Sequence, residues 1–187
     1  HPLPLGDYEP SRGVLLRDRA RRFGDKIYLR CRQNGRELAM SWREFSQRTF
    51  QIARHLLEQG IRRGDRVGMI SENRAEMFLF ELAVMSIGAV TVPVFAGYLP
   101  SQIAYVLSRA RPRYVVVSGL HQLEKIERAR HPGIEKYYCF DADAASRRWG
   151  ALDFAMLTAE GGVSEQRLQE QLSAVQPDDR CVIMYTS

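Results

Sequence analysis

The sequence predicts an α/β fold: a mostly parallel sheet of about five strands with helices on both faces, preceded by an N-terminal helix and a β-hairpin. Two observations support this prediction. Short apolar runs alternate with helix-like segments five times, which is the pattern of a sheet whose strands are joined by helices. In addition, residues 64–94 contain a strand, a helix and a second strand, and such a unit folds as a right-handed crossover between parallel strands.

The strands of this central unit are apolar, β-branched runs. Arg66–Ser71 supplies the first strand and Ala89–Val94 the second. Between them, Asn73 is predicted to cap the helix, with Glu76 three residues later to complete a capping box. Gly88 is predicted to end the helix, because glycine adopts the left-handed conformation of a helix C-terminus at little cost.

The helix of the central unit is apolar at nearly every position from Met77 to Ile87. Such a helix is expected to be covered on all sides, because an exposed face would leave apolar surface in water. Phe78, Leu82 and Met85 are therefore predicted to be buried and to hold the sheet.

The segment before the central unit is predicted to form a helix and then a hairpin. Ser11–Phe23 has a partial apolar stripe and is followed by Gly24, a stop signal. Lys26–Gln33 and Glu37–Met40 are predicted strands. They are joined by Asn34-Gly35, a pair that favours the type I′ turn of tight hairpins.

Residues 41–60 carry the clearest helical pattern. Ser41 and Glu44 have the spacing of a capping box, and Gly60 follows the last helical residue. His55 is predicted to lie on the solvent side of this helix. The opposite face is apolar at helical spacing and is predicted to be buried; its members are Trp42, Phe45, Ile52, Ala53, Leu56 and Leu57.

The rest of the chain continues the alternation of helices and strands, without internal repeats or low-complexity stretches, so residues 1–187 are predicted to form one domain. The predicted elements are the loop Phe95–Leu99, the helix Ser101–Arg111, the strand Tyr114–Val117, the helix His121–Arg130, the strand Tyr137–Phe140, an irregular segment Asp141–Gly162 with a short helix around Leu152–Leu157, the helix Ser164–Val175, a turn at Pro177–Asp179 and a fifth strand, Cys181–Tyr185.

Composition indicates an ordinary globular protein, with 45% apolar and 26% charged residues. The longest apolar run is shorter than the roughly 20 residues that span a bilayer, and no signal-peptide pattern is present. The sequence therefore predicts a cytoplasmic protein with no integral membrane segment. Cys31, Cys139 and Cys181 are widely spaced in apolar runs, which favours buried, reduced thiols over a disulfide frame or a zinc site.

The formal net charge is +5, and nearly all the basic residues are arginines. Such a charge is compatible with attraction to polyanions and equally with solvated helix faces. Acidic residues are interleaved with the basic ones and no run of aromatic residues accompanies them, so no nucleic-acid partner is expected.

The common nucleotide-binding and catalytic signatures of α/β proteins are absent. The turn Ser71–Arg74 has no glycine where a dinucleotide-binding fold places its glycine-rich loop, and neither a Walker A loop nor a G-x-S-x-G motif occurs. The four histidines have no metal-like spacing. Asp141 and Asp143 follow a strand end, where α/β proteins often place a site. A lone acidic pair of this kind is interpreted instead as part of a solvated loop.

Thr186 and Ser187 follow Tyr185 at the end of the last predicted strand. They would lie at the carboxyl edge of the sheet, where α/β folds bind ligands, and could begin a phosphate-binding loop. A simple Ser/Thr turn is the alternative. Because the chain ends directly after an apolar strand, we expect it to be the front part of a longer, truncated domain.

Several short motifs follow one another in order: Ser41–Glu44, Gly64–Val67, Glu72-Asn73 with Glu76, Gly88–Val90, Val92–Val94 and Pro100–Ile103. In this order and spacing, from about Val14 to Ser187, they resemble the N-terminal part of the adenylate-forming (AMP-binding) superfamily of acyl-CoA synthetases, firefly luciferases and peptide-synthetase adenylation domains. Tyr185-Thr186-Ser187 resembles the start of the family's phosphate loop, Tyr-Thr-Ser-Gly-Thr-Thr-Gly. Within the superfamily, the sequence is most similar to long-chain fatty acyl-CoA synthetases.

The resemblance implies a two-step reaction. A carboxylic acid, of the fatty-acid class, attacks the α-phosphate of ATP to give an acyl-adenylate and pyrophosphate, and the thiol of coenzyme A then displaces AMP. Mg²⁺ would accompany ATP, and Thr186 and Ser187 would offer hydroxyls to the phosphates or the metal. A fatty-acid substrate is also compatible with transient association with a membrane, although the sequence encodes no lipid anchor.

The resemblance also implies that this chain has no ligase activity alone. The family's remaining loop residues, its adenine and acyl pockets and its catalytic lysine would lie beyond Ser187, in the missing C-terminal part of the protein. Two other interpretations remain open. One is a stand-alone α/β binding module that has lost the catalytic half; the other is a nucleotide-dependent oxidoreductase domain, which the missing glycine motif disfavours.

Overall fold

A computed structural model describes residues 9, 11–33, 35–128 and 133–185, without the side chain of residue 33. Asn34, one of the two central residues of the predicted hairpin turn, lies outside this part of the chain, whereas Gly35 is described and has φ +75°. The helices and strands are, in order, α1 (Arg12–Phe23), β1 (Ile27–Gln33), β2 (Arg36–Ser41), α2 (Trp42–Glu58), β3 (Arg66–Ser71), α3 (Ala75–Ser86), β4 (Val90–Phe95), α4 (Pro100–Ala110), β5 (Tyr114–Val117), α5 (Leu120–Arg128), β6 (Lys136–Cys139), α6 (Ala144–Arg148), β7 (Leu152–Asp153), α7 (Ala155–Thr158) and α8 (Glu165–Ala174).

The larger sheet has the strand order β4-β3-β5-β6-β7, and all its pairings are parallel. Strand β3, which lies between β4 and β5, pairs over its whole length with β4, from Arg66 opposite Val90 to Ser71 opposite Phe95. The predicted parallel βαβ unit is therefore confirmed. Strands β1 and β2 form the predicted antiparallel hairpin, as a separate two-stranded sheet.

Alternate side chains of the inner strands pack into two apolar cores, one on each face of the sheet. Val67 and Met69 of β3 belong to the core that contains side chains of α1, α2, α3 and α8, whereas Ile70 belongs to the core formed with α4 and α5. Because successive strand residues point to opposite faces, helices cover both sides of the sheet, as the sequence predicts.

The N-terminal helices begin where their hydroxyl residues predict. The Ser11 hydroxyl accepts from the Val14 N–H at 3.3 Å, and the Ser41 hydroxyl accepts from the Glu44 N–H at 3.1 Å. The Glu44 carboxylate, however, pairs with Arg48 one turn later, at 2.7 Å. Of the predicted capping box of α2, the hydrogen bond to Ser41 is therefore present, while the Glu44 side chain pairs with Arg48.

The start of α3 differs from the prediction. Arg74, not Asn73, is the residue that precedes the first helical residue, with φ −156° and ψ 163°, and no side chain caps this helix. The reason is tertiary, since the guanidinium of Arg74 is held by the carboxylates of Glu76 and Asp141. Gly88, with φ +74°, does adopt the predicted left-handed conformation after the helix.

The prediction that α3 is buried on all sides is wrong. Leu79, Phe80 and Val84 are buried, but Phe78 is 42% exposed and Leu82 and Met85 are only half-buried. One side of α3 packs on α2 and the sheet, while Met77 and Glu81 border an open cleft that is described below.

His55 is 9% exposed, so its predicted place on the solvent side of α2 is also wrong. Its Nε2 lies 3.0 Å from the Ala159 carbonyl and its Nδ1 lies 3.3 Å from the Glu58 carboxylate. The segment 159–163 folds back over this face of α2, where Gln51 also donates to the Gly161 carbonyl at 3.1 Å. A contact between residues a hundred positions apart cannot be read from the helical pattern of α2.

The fifth strand of the sheet is β7, within the segment predicted to be irregular, and not residues 181–185. That predicted strand makes a single parallel bridge, in which Thr91 donates to the Cys181 carbonyl and Ile183 donates to the Thr91 carbonyl, each at 2.9 Å. The next rung on this side of β4 would need an N–H two residues beyond Thr91, and Pro93 has none. Pro93 therefore limits the pairing of this edge.

Two further predictions from the sequence concern membrane-spanning segments and the cysteines. Within the described ranges, no helix is both long and apolar enough to cross a bilayer. Cys31, Cys139 and Cys181 are free; Cys139 is buried as predicted, whereas Cys31 and Cys181 are only partly buried, so the prediction of burial is wrong for these two.

Candidate active-site cleft

A cleft of about 780 Å³ opens at the carboxyl ends of β3 and β4. Parallel α/β sheets place ligands at this edge, because the loops that leave adjacent strands diverge there. Its lining comes from the turns after the two strands, from α3 and α5, and from the segment that follows Cys181; the polar members are Ser71, Glu72, Asn73, Glu81, Tyr98, His121, Gln122, Lys125 and Tyr185.

Glu72, directly after β3, is tied to α5. The Gln122 amide donates to its carboxylate at 2.9 Å. Burial would raise the pKa of Glu72, but hydrogen bonds from Ser118, its own backbone and Gln122, with the charge of Lys125, outweigh that effect and lower the pKa. The cleft therefore holds an ionised carboxylate at neutral pH.

The turn after β4 is held from the same helix. Lys125 donates to the Ala96 carbonyl at 2.6 Å, and Gln122 donates to it at 3.3 Å. Gln122 is only 2% exposed, and its amide oxygen has no hydrogen-bond partner among the described residues. These contacts fix the Ala96 carbonyl as one wall of the cleft.

Glu81 is a second carboxyl group of the cleft, with the opposite character. It lies on α3, one turn beyond Met77, and a hydrogen bond links it to Thr91 of β4. Burial raises its pKa, and the bond to Thr91 only partly offsets this rise. The surroundings of these two carboxyl groups in one cleft thus shift their pKa values in opposite directions.

Asp141, which the sequence analysis interprets as a solvated loop residue, accepts two hydrogen bonds from Arg74 at 2.7 and 2.9 Å. The bonds to Asp141 raise the pKa of Arg74, although its burial opposes this, and Arg74 also stacks over the Phe140 ring at 5.2 Å. Asp143 accepts from the Ser146 N–H at 2.7 Å and caps α6. Both residues stabilise the loop after β6 and neither lines the cleft.

Thr186 and Ser187, the predicted phosphate-binding residues, lie outside the described residues. The structure does place the residues that lead to them. Ile183 is bonded to Thr91 on the edge of β4, and Met184 and Tyr185 line the cleft. The Tyr185 ring contacts the ring of Tyr105 on α4, with centroids 6.1 Å apart.

Gln122 and Lys125 are residues of the cleft that the sequence did not reveal. Their helix has the pattern of an amphipathic surface helix, and nothing in that pattern marks which polar residues turn inward. The one available signal is that Lys125 is one of only three lysines in the chain. That signal is too weak to assign a role.

A larger cavity, of about 940 Å³, lies between the hairpin, α2, α3 and α7. Its charged side chains are mostly engaged with other residues: Arg48 with Glu44, Glu37 with Arg30, and Asp153 with Arg147. The cleft beside Tyr185 is the better candidate site, because it lies where the strands β3 and β4 end.

Comparison with known proteins identifies the family. Residues 16–187 match the family described as AMP-binding enzyme. A medium/long-chain-fatty-acid–CoA/3-oxocholest-4-en-26-oate–CoA ligase from Mycobacterium marinum is 24% identical over 169 residues, which cover 87% of this chain and 29% of that protein.

Two solved structures share the fold. The anthranilate CoA ligase AuaEII in complex with anthranoyl-AMP superposes with a TM-score of 0.72 at 22% identity, over 99% of this chain and 32% of that chain. The N-terminal domain of FACL13 from Mycobacterium tuberculosis gives a TM-score of 0.66 at 21% identity, over 95% of this chain and 42% of that chain. The chain spans about a third of the length of the curated relatives that it matches first. Because the family match covers nearly all of the sequence, the protein belongs to the AMP-binding enzyme family, and the chain corresponds to the N-terminal part of an adenylate-forming enzyme.

Proposed function

We propose that this chain is the N-terminal part of an ATP-dependent acyl-CoA synthetase. The intact enzyme would activate a carboxylic acid of the fatty-acid class as an acyl-adenylate and transfer the acyl group to coenzyme A. The observation that carries the proposal is the family match over residues 16–187, and the fatty-acid–CoA ligase from Mycobacterium marinum supports the substrate class.

The position of Tyr185 supports a phosphate-binding role for the two residues after it. Tyr185 lines the cleft at the carboxyl edge of the sheet, and Thr186 and Ser187 follow it in the sequence. Hydroxyls and backbone N–H groups that leave a strand at this edge suit the binding of phosphate oxygens. In the proposed enzyme, Thr186 and Ser187 would bind the phosphates of ATP.

Mg²⁺ is implied by the family's use of ATP, and it is commonly held by the phosphates and water with only one or two protein carboxylates. Among the described residues, no group of three or more His, Cys, Asp or Glu side chains could hold a metal ion.

The surface around the cleft supports the proposal that residues 1–187 are one portion of a larger ligase domain. Large apolar side chains are exposed on α3, at and after the end of β4, on α4 and before Tyr185; they are Phe78, Phe95, Leu99, Tyr105 and Met184. Phe95 and Met184 line the cleft itself, and exposed apolar side chains that cluster on a surface mark a contact surface. In the proposed enzyme, the remainder of the ligase domain would cover it.

The charge of the cleft supports the proposal that this chain alone is inactive. Among the described residues that line the cleft, Lys125 is the one lysine, and none is an arginine. The Lys125 ammonium already donates to the Ala96 carbonyl and neighbours the Glu72 carboxylate. A triphosphate would therefore meet little uncompensated positive charge here.

The test compares the purified chain with the protein that its reading frame encodes. With ATP, Mg²⁺, coenzyme A and acids of increasing chain length, the encoded protein is expected to form AMP and acyl-CoA, while residues 1–187 release no pyrophosphate. Acid-dependent pyrophosphate release by residues 1–187 would contradict the inactivity. A reading frame that continues as Gly-Thr-Thr-Gly after Ser187 supports the enzyme, and a stop codon there supports a stand-alone binding module.

The role of the two hydroxyl residues has its own test in the encoded protein. Thr186→Ala and Ser187→Ala are expected to lower kcat by about tenfold or more, because each removes a donor that the proposal directs at a phosphate oxygen. Ser173→Ala, an exposed hydroxyl on α8, is the matched control. Equal activity of all three variants would rule out the proposed phosphate role.

A further inference from the structure

The excess positive charge of the chain is confined to its first helix and hairpin. Residues 11–43 contain ten lysines and arginines and three aspartates and glutamates, a formal charge of +7, whereas the whole chain has 27 and 22 and a formal charge of +5. The rest of the chain therefore carries no net positive charge. Charge that is spread evenly over a surface is ordinary, but charge concentrated in one segment creates a local field.

Within this segment, each acidic residue is already bonded to an arginine. The pairs are Arg17–Asp18 at 3.1 Å, Arg43–Asp25 at 2.9 Å and Arg30–Glu37 at 2.8 Å. The segment thus has no carboxylate left to neutralise its other cations.

Three of those other cations surround one aromatic ring. The charged groups of Arg19, Arg22 and Lys26 lie 5.8, 5.3 and 5.7 Å from the centroid of the Phe23 ring. None of the three is paired with a carboxylate among the described residues. The ring face offsets only a little of their mutual repulsion, since an exposed cation–π contact is weak. An anionic surface would relieve the remainder.

Aromatic and apolar side chains continue this cluster along the hairpin. The Phe23 ring lies 5.5 Å from the Trp42 ring, which lies 4.0 Å from the ring of Tyr28. Tyr28 is 41% exposed, and Ile27, which directly follows Lys26, is 46% exposed. Tryptophan and tyrosine beside basic residues are typical of protein surfaces that sit at the level of lipid headgroups.

We propose that this face, formed by Arg19, Arg22, Phe23, Lys26, Tyr28 and Trp42 and called here the Phe23 face, docks on a membrane surface of anionic phospholipids. The three cations would meet the phosphates of the headgroups, and Tyr28 with the neighbouring Ile27 would enter the boundary between headgroups and acyl chains. The exposed aliphatic side chain of Ile27 favours a lipid surface over a nucleic acid. The proposal does not depend on the proposed ligase activity.

Co-sedimentation with vesicles tests the proposal. The chain is expected to sediment with vesicles of phosphatidylcholine and phosphatidylglycerol, to remain in solution with phosphatidylcholine alone, and to be released by about 0.5 M salt, at which charge interactions are screened. No binding to the anionic vesicles would overturn the proposal. Displacement from them by a single-stranded RNA at equal phosphate concentration would also overturn it, in favour of a nucleic-acid surface.

A charge-matched pair of variants separates the Phe23 face from net charge. Arg19→Gln/Arg22→Gln/Lys26→Gln is expected to weaken partitioning by about a hundredfold, since each cation near an anionic surface contributes about fivefold. Arg128→Gln/Arg148→Gln/Arg180→Gln removes the same charge from exposed residues elsewhere and is expected to change little. Equal losses in the two variants would overturn the proposal.

The apolar part of the face is tested without any change of charge. Ile27→Ser is expected to weaken partitioning several-fold at constant salt, because it removes an exposed side chain that would enter the lipid boundary. Circular dichroism spectra of all variants confirm that they are folded. An Ile27→Ser variant that binds as the parent does, together with an unchanged triple Gln variant, leaves the Phe23 face without a role and overturns the proposal.

Discussion

Arg74 donates two parallel hydrogen bonds, of 2.7 and 2.9 Å, to the carboxylate of Asp141, and so joins the loops that follow β3 and β6. Its side chain is only 13% exposed, and a third carboxylate bond goes to Glu76 at 2.9 Å. Bidentate pairs with a shielded guanidinium are stronger than ordinary surface pairs, because the planar fork fits a carboxylate and solvent screens it less.

Arg74→Ala is expected to lower the free energy of unfolding by about 1–3 kcal/mol, because it removes the charged hydrogen bonds that Arg74 donates to Asp141 and Glu76. Arg74→Lys is expected to recover only part of this loss, since an ammonium cannot form the two parallel bonds. Urea titrations followed by circular dichroism measure the difference. Arg30→Ala, which breaks the exposed pair with Glu37, is the control and is expected to cost less than about 1 kcal/mol. Equal costs at the two positions would contradict this account.

Glu81→Gln is expected to stabilise the protein at about pH 8, by an amount that disappears towards pH 4. The pKa of Glu81 is raised from 4.5 in the fold, so between 4.5 and the folded pKa the folded state holds more protons than the unfolded state. Stability of the parent therefore falls as pH rises through that window. Unfolding midpoints measured across this range test the sign. Glu127→Gln, on the exposed face of α5, is the control, and a Glu81→Gln variant that is less stable at high pH would show that the sign is wrong.

Lys125→Met is expected to loosen the turn after β4. The substitution keeps the length of the side chain but removes the donor to the Ala96 carbonyl, at a cost of about 1 kcal/mol. Hydrogen exchange followed by mass spectrometry should show faster exchange in peptides that cover residues 95–99. Arg128→Met, an exposed position on the same helix, should leave those peptides unchanged. Faster exchange in both variants would point to a general loosening of α5.

Gly162→Ala is expected to destabilise the fold by about 1–3 kcal/mol more than Gly150→Ala. Both glycines have positive φ, of 79° and 82°, so both alanines pay the same backbone strain. A Cβ at position 162 would also lie 2.8 Å from backbone and side-chain atoms of Arg54, whereas nothing lies within 4 Å of a Cβ at position 150. The difference between the melting temperatures of the two variants measures the effect of the close contact between residue 162 and α2. Equal melting temperatures would show that this contact is not tight.

Most of the fold follows from local patterns. Ser11, Ser41 and Ser164 each accept an N–H of the first helical turn, and each is the residue at which the sequence predicts its helix to begin. The alternating apolar residues of β3 and the arrangement of strand, helix and strand predicted the parallel sheet and its two covered faces. These features depend on neighbours within a few residues, and such neighbours can be read directly from the chain.

The candidate site was predictable only in part. The carboxyl edge of the sheet, where Tyr185 lies, follows from the parallel strands that the sequence predicts. The exposed Phe78, the two carboxyl groups of opposite character and the inward-facing Gln122 and Lys125 do not follow from it. Each depends on which side chains of a helix meet the rest of the protein, and the helical repeat alone does not show which polar side chains make such contacts.

The sequence by itself determined the α/β class, most element boundaries and the family, because these depend on local periodicity and on the order of short motifs. Only the tertiary structure decided that Arg74 precedes α3 while bonded to Asp141, that His55 is buried under residues 159–163, and that β7 is the fifth strand. These outcomes depend on contacts between residues far apart in the chain, whose energies of a kilocalorie or more outweigh the smaller preferences of local caps and turns.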